Sequence, residues 1–444
     1  MRRLLSLCLV LLALAGPLAA REQEPLSVYQ SRRAALVSKF SNGITVLFGT
    51  TERTGGDLYG FRQDRDFYYL TGFPQPAAIL VLAPAAAPPA SGAQAKGRAR
   101  EILFLPSRNP VEERWTGPKL HPAHPEVRAQ TGFETVLPAE SFSAELTRLL
   151  ESYSVLYTIL PKTNDPDAWS LERERLERLK KLAPFAEVRD AAPEIGRLRQ
   201  VKSDTEITLI EKATKLSVDA HRKAMKAMRP GMFEYEIASL MQYTFQKGGA
   251  ERQAYAPIVG SGFNSTVLHY NANGRRMDSG EVVVIDVGAE YGGYAADITR
   301  TLPVSGKFTP RQREIYEIVL GAQKAALAAA RPGMVLRGRE GRTLHQVAYD
   351  YINSRGKDLK GEPLGKYFIH GLGHHVGLYV HDAGDPSRPL EAGMVITIEP
   401  GIYIPEEQIG VRIEDMVLVT KDGARVLSAD LPREADDVER AMQR

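Results

Sequence analysis

A chain of 444 residues is longer than one hydrophobic core usually supports, so two domains are expected. Hydrophobic residues at 43% and charged residues at 25% fit a soluble globular protein. The net charge is only +3 and the charges are interspersed, which argues against a nucleic-acid-binding protein with a concentrated basic stripe.

The first twenty residues have the pattern of a secretory signal peptide. Two arginines precede an apolar run over residues 4–14, and small residues follow up to Ala20. The run is too short to span a bilayer comfortably, which disfavours the alternative of a short membrane anchor. No later segment is apolar enough to cross a membrane. We therefore predict a signal peptide over residues 1–20, a mature chain that begins near Arg21, and an exported protein, periplasmic or secreted.

Helix-like and strand-like segments alternate along the first half, which predicts an accessory α/β domain over residues 25–195. Three apolar runs predict buried strands, at residues 43–49, 78–82 and 101–105. The Ala/Pro/Gly-rich stretch 83–100 predicts a loop between two strands. Residues 171–182 are highly charged, with leucines at helical spacing, and predict a surface helix.

A second domain is predicted over residues 200–435. Ser203 and Glu206 have capping-box spacing, which predicts the start of a long amphipathic helix that runs to about Met228. The following Arg-Pro-Gly sequence at 229–231 ends that helix, because proline and glycine continue a helix poorly.

This second domain contains an internal duplication. The sequence Arg-Pro-Gly-Met ends a helix twice, at residues 229–232 and 331–334. In both halves an apolar strand later ends in an acid six residues after a glycine, at Asp286 and at Glu399. A histidine precedes each strand, His269 and His381 respectively. Halves related by a pseudo-two-fold axis would place their acids together at the centre.

A second acid follows each of these strands on a returning strand. In the first half, residues 294–301 predict the return, and a turn centred between Tyr291 and Gly292 would place Asp286 directly opposite Asp297. The two carboxylates would then share one face of a hairpin.

The second half allows the same construction. A turn centred on residues 406–407 would place Glu399 opposite Glu414, and Arg412 would lie on the same face. Like charges directly opposite each other are destabilising, so four converging carboxylates need counter-charges.

Two divalent cations held by these acids and one or two imidazoles would nearly cancel the charge. Such oxygen-rich sites suit manganese, cobalt or zinc. Two ions about 3.5 Å apart can lower the pKa of a shared water and polarise a carbonyl. This chemistry predicts peptide hydrolysis without a serine or cysteine nucleophile. The glycine- and histidine-rich segment 370–378 supplies imidazoles, and its glycines argue against a helical zinc motif.

Several motifs together resemble the pita-bread metallopeptidases, and within them aminopeptidase P and prolidase. They are DVG at 286–288, YAADITRT at 294–301, HGLGH at 370–374, VHD at 380–382, IEPGIY at 398–403, VRIED at 411–415 and, in the first half, DFYYLTGF at 66–73. The resemblance implies an α/β N-terminal domain followed by an α+β pita-bread catalytic domain with an internal pseudo-two-fold duplication.

The resemblance also implies roles for individual residues. The metal ligands would be Asp286, Asp297, His374, Glu399 and Glu414. Asp297 and Glu414 would bridge two ions per chain, expected to be Mn²⁺, with Zn²⁺ or Co²⁺ as alternatives. Glu399 would also shuttle the proton of the bridging water. The substrate and the tetrahedral intermediate would contact His269, His370 and His381, with Arg412 orienting the carboxylates or the substrate.

The function implied is an Xaa-Pro aminopeptidase, which removes the residue before a proline in position two. The alternative is an Xaa-Pro dipeptidase with the same ligands, and a remote alternative is a non-catalytic pita-bread binding protein, disfavoured by the intact ligand set. A dimer or tetramer of identical chains is expected. Trp115 is either a core residue or a residue that reaches a neighbouring subunit's site, and His375 stands where some relatives carry a large aromatic residue.

Overall fold

The computed structural model describes residues 22–52, 60–85, 99–162, 170–338 and 341–443. The predicted signal peptide over residues 1–20 and most of the predicted loop at 83–100 lie outside the described residues. No helix within the described ranges has both the length and the apolar character needed to cross a membrane.

The first half folds around a six-stranded sheet with the strand order β4-β3-β2-β1-β5-β6. Its strands are β1 Gly43–Phe48, β2 Ile79–Ala83, β3 Arg100–Leu105, β4 Thr135–Pro138, β5 Val155–Thr158 and β6 Glu187–Asp190. The β1–β2 and β2–β3 pairs are antiparallel, whereas β3–β4, β1–β5 and β5–β6 are parallel. The three apolar runs predicted as strands are β1, β2 and β3.

Helices cover this sheet. They are α1 Leu26–Lys39, α2 Arg65–Thr71, α3 Glu113–Thr116, α4 Val127–Thr131, α5 Phe142–Leu150, α6 Leu171–Leu182 and α7 Ala192–Gln200, with a 3-10 turn at Ala139–Ser141. Phe142 and Leu146 of α5 and Leu179 of α6 are buried against one face of the sheet. Trp115 on α3 is 87% exposed, so the core alternative for this residue is wrong.

The second half contains two similar sets of elements, each a packed helix pair followed by antiparallel strands. The helices are α8 Asp204–Ala227, α9 Glu234–Lys247, α10 Pro310–Ala329, α11 Leu344–Arg355 and the C-terminal α12 Ala435–Met442. The strands are β7 Arg252–Gln253, β8 Ile258–Ser261, β9 Val282–Asp286, β10 Ala289–Tyr291, β11 Tyr294–Ala295, β12 Thr299–Pro303, β13 Val395–Ile398, β14 Gly401–Ile404, β15 Ile409–Arg412, β16 Asp415–Val419 and β17 Ala424–Val426. Short 3-10 helices lie at Gly262–Thr266, Leu364–Tyr367 and Pro405–Glu407.

The two long helices α8 and α10 begin and end alike. Both start at a capping box, Ser203 with Glu206 for α8 and Thr309 with Gln312 for α10. Each is followed by a Pro-Gly sequence in which the glycine has a positive φ, 92° at Gly231 and 87° at Gly333. The helix boundaries predicted from these residues, and the duplication, are therefore visible in the fold.

The register of the first hairpin differs from the prediction. Tyr291 pairs with Tyr294 and Asp286 with Thr299, so Asp286 is not directly opposite Asp297. The turn consists of Gly292 and Gly293, with φ of 59° and 84°. Two-residue hairpin turns of this type need a positive φ at both central positions, which centres the turn one residue later than predicted.

The returning strand of this hairpin is also not continuous. It is divided into β11 and β12, and Asp297 lies in the interruption. A register shift of two residues preserves which face each side chain occupies, since side chains alternate along a strand. Asp286 and Asp297 therefore still converge, although the predicted pairing is wrong.

The second hairpin has the predicted register. Ile404 pairs with Ile409 around a four-residue turn, and Val395 pairs with Leu418 further along. A gap in both strands separates the β14–β15 ladder from the β13–β16 ladder, and Glu399 and Glu414 lie in this gap.

Candidate active site

All nine residues predicted for the site line one cavity of about 410 Å³ in the second half of the chain. They are Asp286, Asp297, His374, Glu399, Glu414, His269, His370, His381 and Arg412. The nine residues span 145 positions of the chain, from His269 to Glu414.

The two hairpins meet at one point beneath this cavity. The backbone N–H of Glu414 donates to the carbonyl oxygen of Thr299 at 3.1 Å. The Thr299 hydroxyl donates in turn to Glu414 Oε2 at 2.6 Å. Because Thr299 is also the ladder partner of Asp286, this joint places acids from both halves side by side.

The first pair of acids is linked by Tyr255, a residue that the sequence did not indicate. Its hydroxyl oxygen lies 2.5 Å from Oδ1 of Asp286 and 2.5 Å from Oδ1 of Asp297. A hydroxyl carries one proton, so it can donate to only one of these carboxylates at a time. The close approach also depends on Gly288, where a Cβ atom would lie 1.9 Å from the carbonyl oxygen of Ala296.

Arg412 holds Asp286 from the opposite side. Its guanidinium is buried and donates to Asp286 Oδ2 at 2.7 Å and to the Tyr403 hydroxyl at 2.9 Å. Burial raises the pKa of Asp286, but the Arg412 charge and the hydrogen bonds from Tyr255 and Arg412 outweigh it, so the pKa is lowered overall. Asp286 is therefore held as a carboxylate.

His374 is positioned by backbone pairing with β13. Its carbonyl oxygen accepts from Thr397 N at 2.9 Å, and Gly373 lies so close to Thr397 that a Cβ atom would be 2.1 Å from the Thr397 carbonyl oxygen. The ring Nδ1 lies 3.1 Å from the carbonyl oxygen of His375, which can only accept, so Nδ1 carries a proton there.

The other ring nitrogen of His374 is directed at the acids. Nε2 lies 3.3 Å from Asp297 Oδ2 and 3.5 Å from Glu399 Oε1. Burial lowers the pKa of His374, but these two neighbouring carboxylates raise it to about 9 overall in the metal-free chain. A carbonyl that fixes the tautomer from one side is the usual support for a metal-ligating histidine.

The donor set fits divalent cations. Single donor atoms of Asp297, His374 and Glu414 all lie within 4.8 Å of one another. Five carboxylates line the cavity. Asp382 is paired with Arg199 and Lys202, whereas the other four have one buried arginine, Arg412, among the lining residues. The pKa of Glu414 is raised by burial and by the charges of Asp297 and Glu399. Cations would relieve this repulsion, and carboxylate oxygens with an imidazole suit first-row divalent metals.

His370 is held by a chain of hydrogen bonds on the wall of the cavity. Its Nδ1 donates to the carbonyl oxygen of Gly371 at 2.8 Å, and its Nε2 lies 2.8 Å from the hydroxyl of Tyr403. Burial lowers the pKa of His370 to about 4, so the ring is neutral and Nε2 accepts the Tyr403 proton. Nδ1 also faces Glu399, 4.0 Å from Oε2.

The other histidines of the cavity differ in burial. The ring of His381 lies 4.1 Å from that of His374, and partial burial of this ring together with the nearby His374 and His269 lowers the pKa of His381 to about 4. His269 and His381 are exposed towards the cavity and so remain accessible to a substrate. His375 is buried at 2% exposure, with its ring so close to Gly384 that a Cβ atom there would lie 2.2 Å away.

Sequence reasoning missed several residues that support or line the site. Tyr255 reaches it from another segment, and Arg337 lines the cavity wall. Tyr403 lay inside the motif at 398–403, but no role was predicted for it. Thr299 lay inside a motif that was noted, but only the packing of one hairpin on the other shows its contact with Glu414. Tyr255 and Arg337 carry no local signal, because their positions depend on tertiary contacts.

Comparison with known proteins identifies both parts of the chain. Residues 208–421 match the metallopeptidase family M24, and residues 29–157 match the aminopeptidase P N-terminal domain. The chain is 35% identical over 446 residues to the Xaa-Pro aminopeptidase of Haemophilus influenzae, covering 96% of this chain and 99% of that protein. It is 40% identical over 283 residues to the Xaa-Pro dipeptidase of Pyrococcus furiosus, covering 63% of this chain and 77% of that protein.

The fold agrees with these likenesses. The solved structure of aminopeptidase P from Escherichia coli with the inhibitor Pro-Leu superimposes with a TM-score of 0.81 at 32% identity, covering 95% of this chain and 99% of that one. The expectation of an α/β N-terminal domain followed by a pita-bread domain is thereby confirmed. Since a relative of nearly the same length, both family matches and the fold agree, the chain belongs to the aminopeptidase P family of M24 metallopeptidases.

Proposed function

We propose that this protein is a dinuclear metal-dependent aminopeptidase that releases the N-terminal residue from peptides with proline in the second position. The observation that carries the proposal is the convergence of Asp286, Asp297, His374, Glu399 and Glu414 on one cavity, in a chain of the aminopeptidase P family. The Haemophilus influenzae relative, similar over almost its whole length, is an Xaa-Pro aminopeptidase.

Asp297 and Glu414, one from each hairpin, would bridge two ions, with Asp286 completing one site and His374 with Glu399 the other. Manganese is the metal proposed, with zinc or cobalt as alternatives. When bound, such ions supply an activated water and polarise the scissile carbonyl.

The chain's own residues would then move the proton and hold the substrate. Glu399 would take the proton of the attacking water and pass it to the proline nitrogen, as the bond between the first residue and proline breaks and hydroxide adds to the carbonyl carbon. Without metal, burial raises the pKa of Glu399 to about 7, although the neighbouring His374 charge lowers it. His269, His370 and His381 would contact the substrate, and Arg412 would keep Asp286 in place.

The dipeptidase alternative is favoured by one observation, the similarity to the Pyrococcus furiosus Xaa-Pro dipeptidase. A second observation favours the aminopeptidase. The catalytic cavity shares His381, Asp382 and Gly384 with a cleft of about 850 Å³ that also borders α2 and α7 of the first half. This cleft provides room for residues beyond proline, which a dipeptidase does not need.

The experiment is a metal and peptide panel on the purified full chain. We expect about two divalent ions per chain and loss of activity after chelation. We also expect kcat/KM for Xaa-Pro-Yaa-Yaa to equal or exceed that for Xaa-Pro, with Xaa-Ala-Yaa-Yaa as the control that tests the proline requirement. Full activity without metal would overturn the mechanism, and cleavage confined to Xaa-Pro would make the protein a dipeptidase.

Two proposals concern its context. The signal-like residues 1–20 would direct export to the periplasm or beyond, which N-terminal sequencing of protein from the native host checks by a start near Arg21. The exposed Trp115 supports assembly into a dimer or tetramer in which this side chain reaches a neighbouring subunit, and light scattering of the purified chain measures that state.

A further inference from the structure

Two arginines line the catalytic cavity, and they are used very differently. Arg412 is buried, and its guanidinium donates hydrogen bonds to Asp286, Tyr403 and Thr299. Arg337 is exposed at the cavity wall, and its guanidinium has no hydrogen-bond or ion-pair partner among the described residues. Arg337 is therefore the arginine of this cavity that remains available to a substrate.

The backbone around Arg337 is held in place. Its N–H donates to the carbonyl oxygen of Pro386 at 2.9 Å, and Val335 forms a bridge with Pro389. The guanidinium lies against Gly371, where a Cβ atom would be 2.5 Å from Nη1. A side chain at residue 371 would displace the guanidinium. Gly371, the residue after His370, therefore allows Arg337 to lie at this position.

The segment that Arg337 pairs with lies between the catalytic cavity and the adjoining cleft. Pro386 lines the catalytic cavity, whereas Asp385 and Arg388 line the adjoining cleft. Arg337 thus lies on the side of the catalytic cavity that adjoins the cleft, where the part of a substrate after proline would extend. A guanidinium there repels the cationic amino terminus of a substrate and attracts an anionic group.

We infer that Arg337 binds a carboxylate on the part of the substrate that follows proline, which makes it a specificity-determining residue. The inference rests on the proposed function and extends it to a substrate class, short peptides or peptides that are acidic just after proline. The carboxylate has two possible sources, the C-terminus of a short peptide or an acidic side chain. In both cases the guanidinium offers paired N–H donors to the two oxygens.

The test compares the purified metal-loaded enzyme with Arg337→Gln on matched peptides. The first pair is Xaa-Pro-Yaa and its C-terminal amide, and the second is Xaa-Pro-Asp-amide and Xaa-Pro-Asn-amide. For at least one pair we expect wild-type kcat/KM to favour the acid by about tenfold or more, the scale of a charge-assisted hydrogen bond. Arg337→Gln should reduce that ratio to about one by raising KM for the acid, and the pair affected identifies the source.

Arg331→Gln is the matched control, because Arg331 is an exposed arginine six residues earlier in the same segment and lines neither the catalytic cavity nor the cleft. It should retain the wild-type ratio. An unchanged ratio in Arg337→Gln, a wild-type ratio near one for both pairs, or an equal loss in Arg331→Gln would overturn the inference. Wild-type enzyme that cleaves none of the four peptides would instead overturn the proposed function itself.

Discussion

The two halves of the catalytic domain solve one structural problem with different side chains. Each hairpin must keep two acids together at a break in its strands, and each is braced by a buried side chain from a long helix. In the first half His221 of α8 donates from Nε2 to the carbonyl oxygens of Val287 and Ile298, at 3.3 and 3.1 Å. Both carbonyls directly follow an acid in the sequence.

In the second half the brace is Gln323 of α10. Its Nε2 donates to the carbonyl oxygens of Ile398 and Ile413 at 3.3 and 3.1 Å, and both of these directly precede an acid. Burial of a backbone carbonyl without a donor is costly, so a break in two strands inside the core needs such a partner. Each half therefore has an equivalent side-chain donor on its long helix. The donor is a titratable histidine in the first half and a glutamine, which does not titrate, in the second.

The hairpins also differ in how the break is made. In the first, Gly288 allows the returning strand to pass within reach of Asp286, and Tyr255 closes the gap between the carboxylates. In the second, the ladders on either side of Glu399 and Glu414 keep one register, and Thr299 from the first hairpin supplies the hydroxyl. The first hairpin therefore depends on the side chain of Tyr255 from another segment. The second depends on the Thr299 hydroxyl of the first hairpin.

The largest effect is expected from the second hairpin, through Glu399→Gln. The change keeps the shape but removes the charge and the ability to accept a proton, so kcat should fall at least about a hundredfold. Glu406→Gln, at the exposed tip of the same hairpin, is the control and should keep near wild-type kcat. Steady-state kinetics on an Xaa-Pro-Yaa-Yaa peptide measures both, and a Glu399→Gln rate within two- or threefold of wild type would remove Glu399 from the mechanism.

An intermediate effect is expected in the first hairpin from Tyr255→Phe. Loss of the hydroxyl leaves Asp286 and Asp297 without their common hydrogen-bond partner, and metal affinity should weaken by about ten- to a hundredfold. Tyr316→Phe is the matched control, since it removes a buried hydroxyl that donates to the Arg433 carbonyl oxygen away from the cavity. Metal titration followed by calorimetry distinguishes them, and equal affinities would show that Tyr255 does not support the site.

The smallest effect is a pH dependence that separates the two braces. Burial lowers the pKa of His221 from 6.5 to about 4, so the folded chain resists a proton that the unfolded chain takes up. The contribution of neutral His221 to the free energy of unfolding is fully present above pH 6.5. It is lost as the pH falls towards 4, by up to about 3 kcal/mol.

His221→Gln copies the brace of the second half and should remove this part of the acid sensitivity. The free energy of unfolding, measured by denaturant titration at pH 7.5 and pH 5.0, should fall less between these values in the variant than in wild type. An identical fall in both proteins would show that His221 does not contribute to the pH dependence.

Much of this protein was readable from its sequence because the signals were local. Helix caps at Ser203 and the Pro-Gly stops fixed the ends of long helices, and the alternation of apolar residues fixed the faces on which the acids lie. The second hairpin register followed from its acids and turn alone. The first was missed by two residues, although Gly292 and Gly293 carried the correct signal, since a glycine pair readily adopts the positive φ that the turn requires.

The sequence alone could not determine the contacts between segments that are distant along the chain. The positions of His221, Tyr255 and Arg337 follow from how helices and loops pack, and no spacing or periodicity predicts them. The acids and the strands that carry them could be predicted from local pattern, whereas their distances, their hydrogen-bond partners and the position of Arg337 at the cavity wall were set by tertiary packing. Side chains that are distant in the sequence interact, and become buried, only when they lie close in space. The distances and hydrogen bonds of the site therefore form only once the two halves of the catalytic domain have packed together.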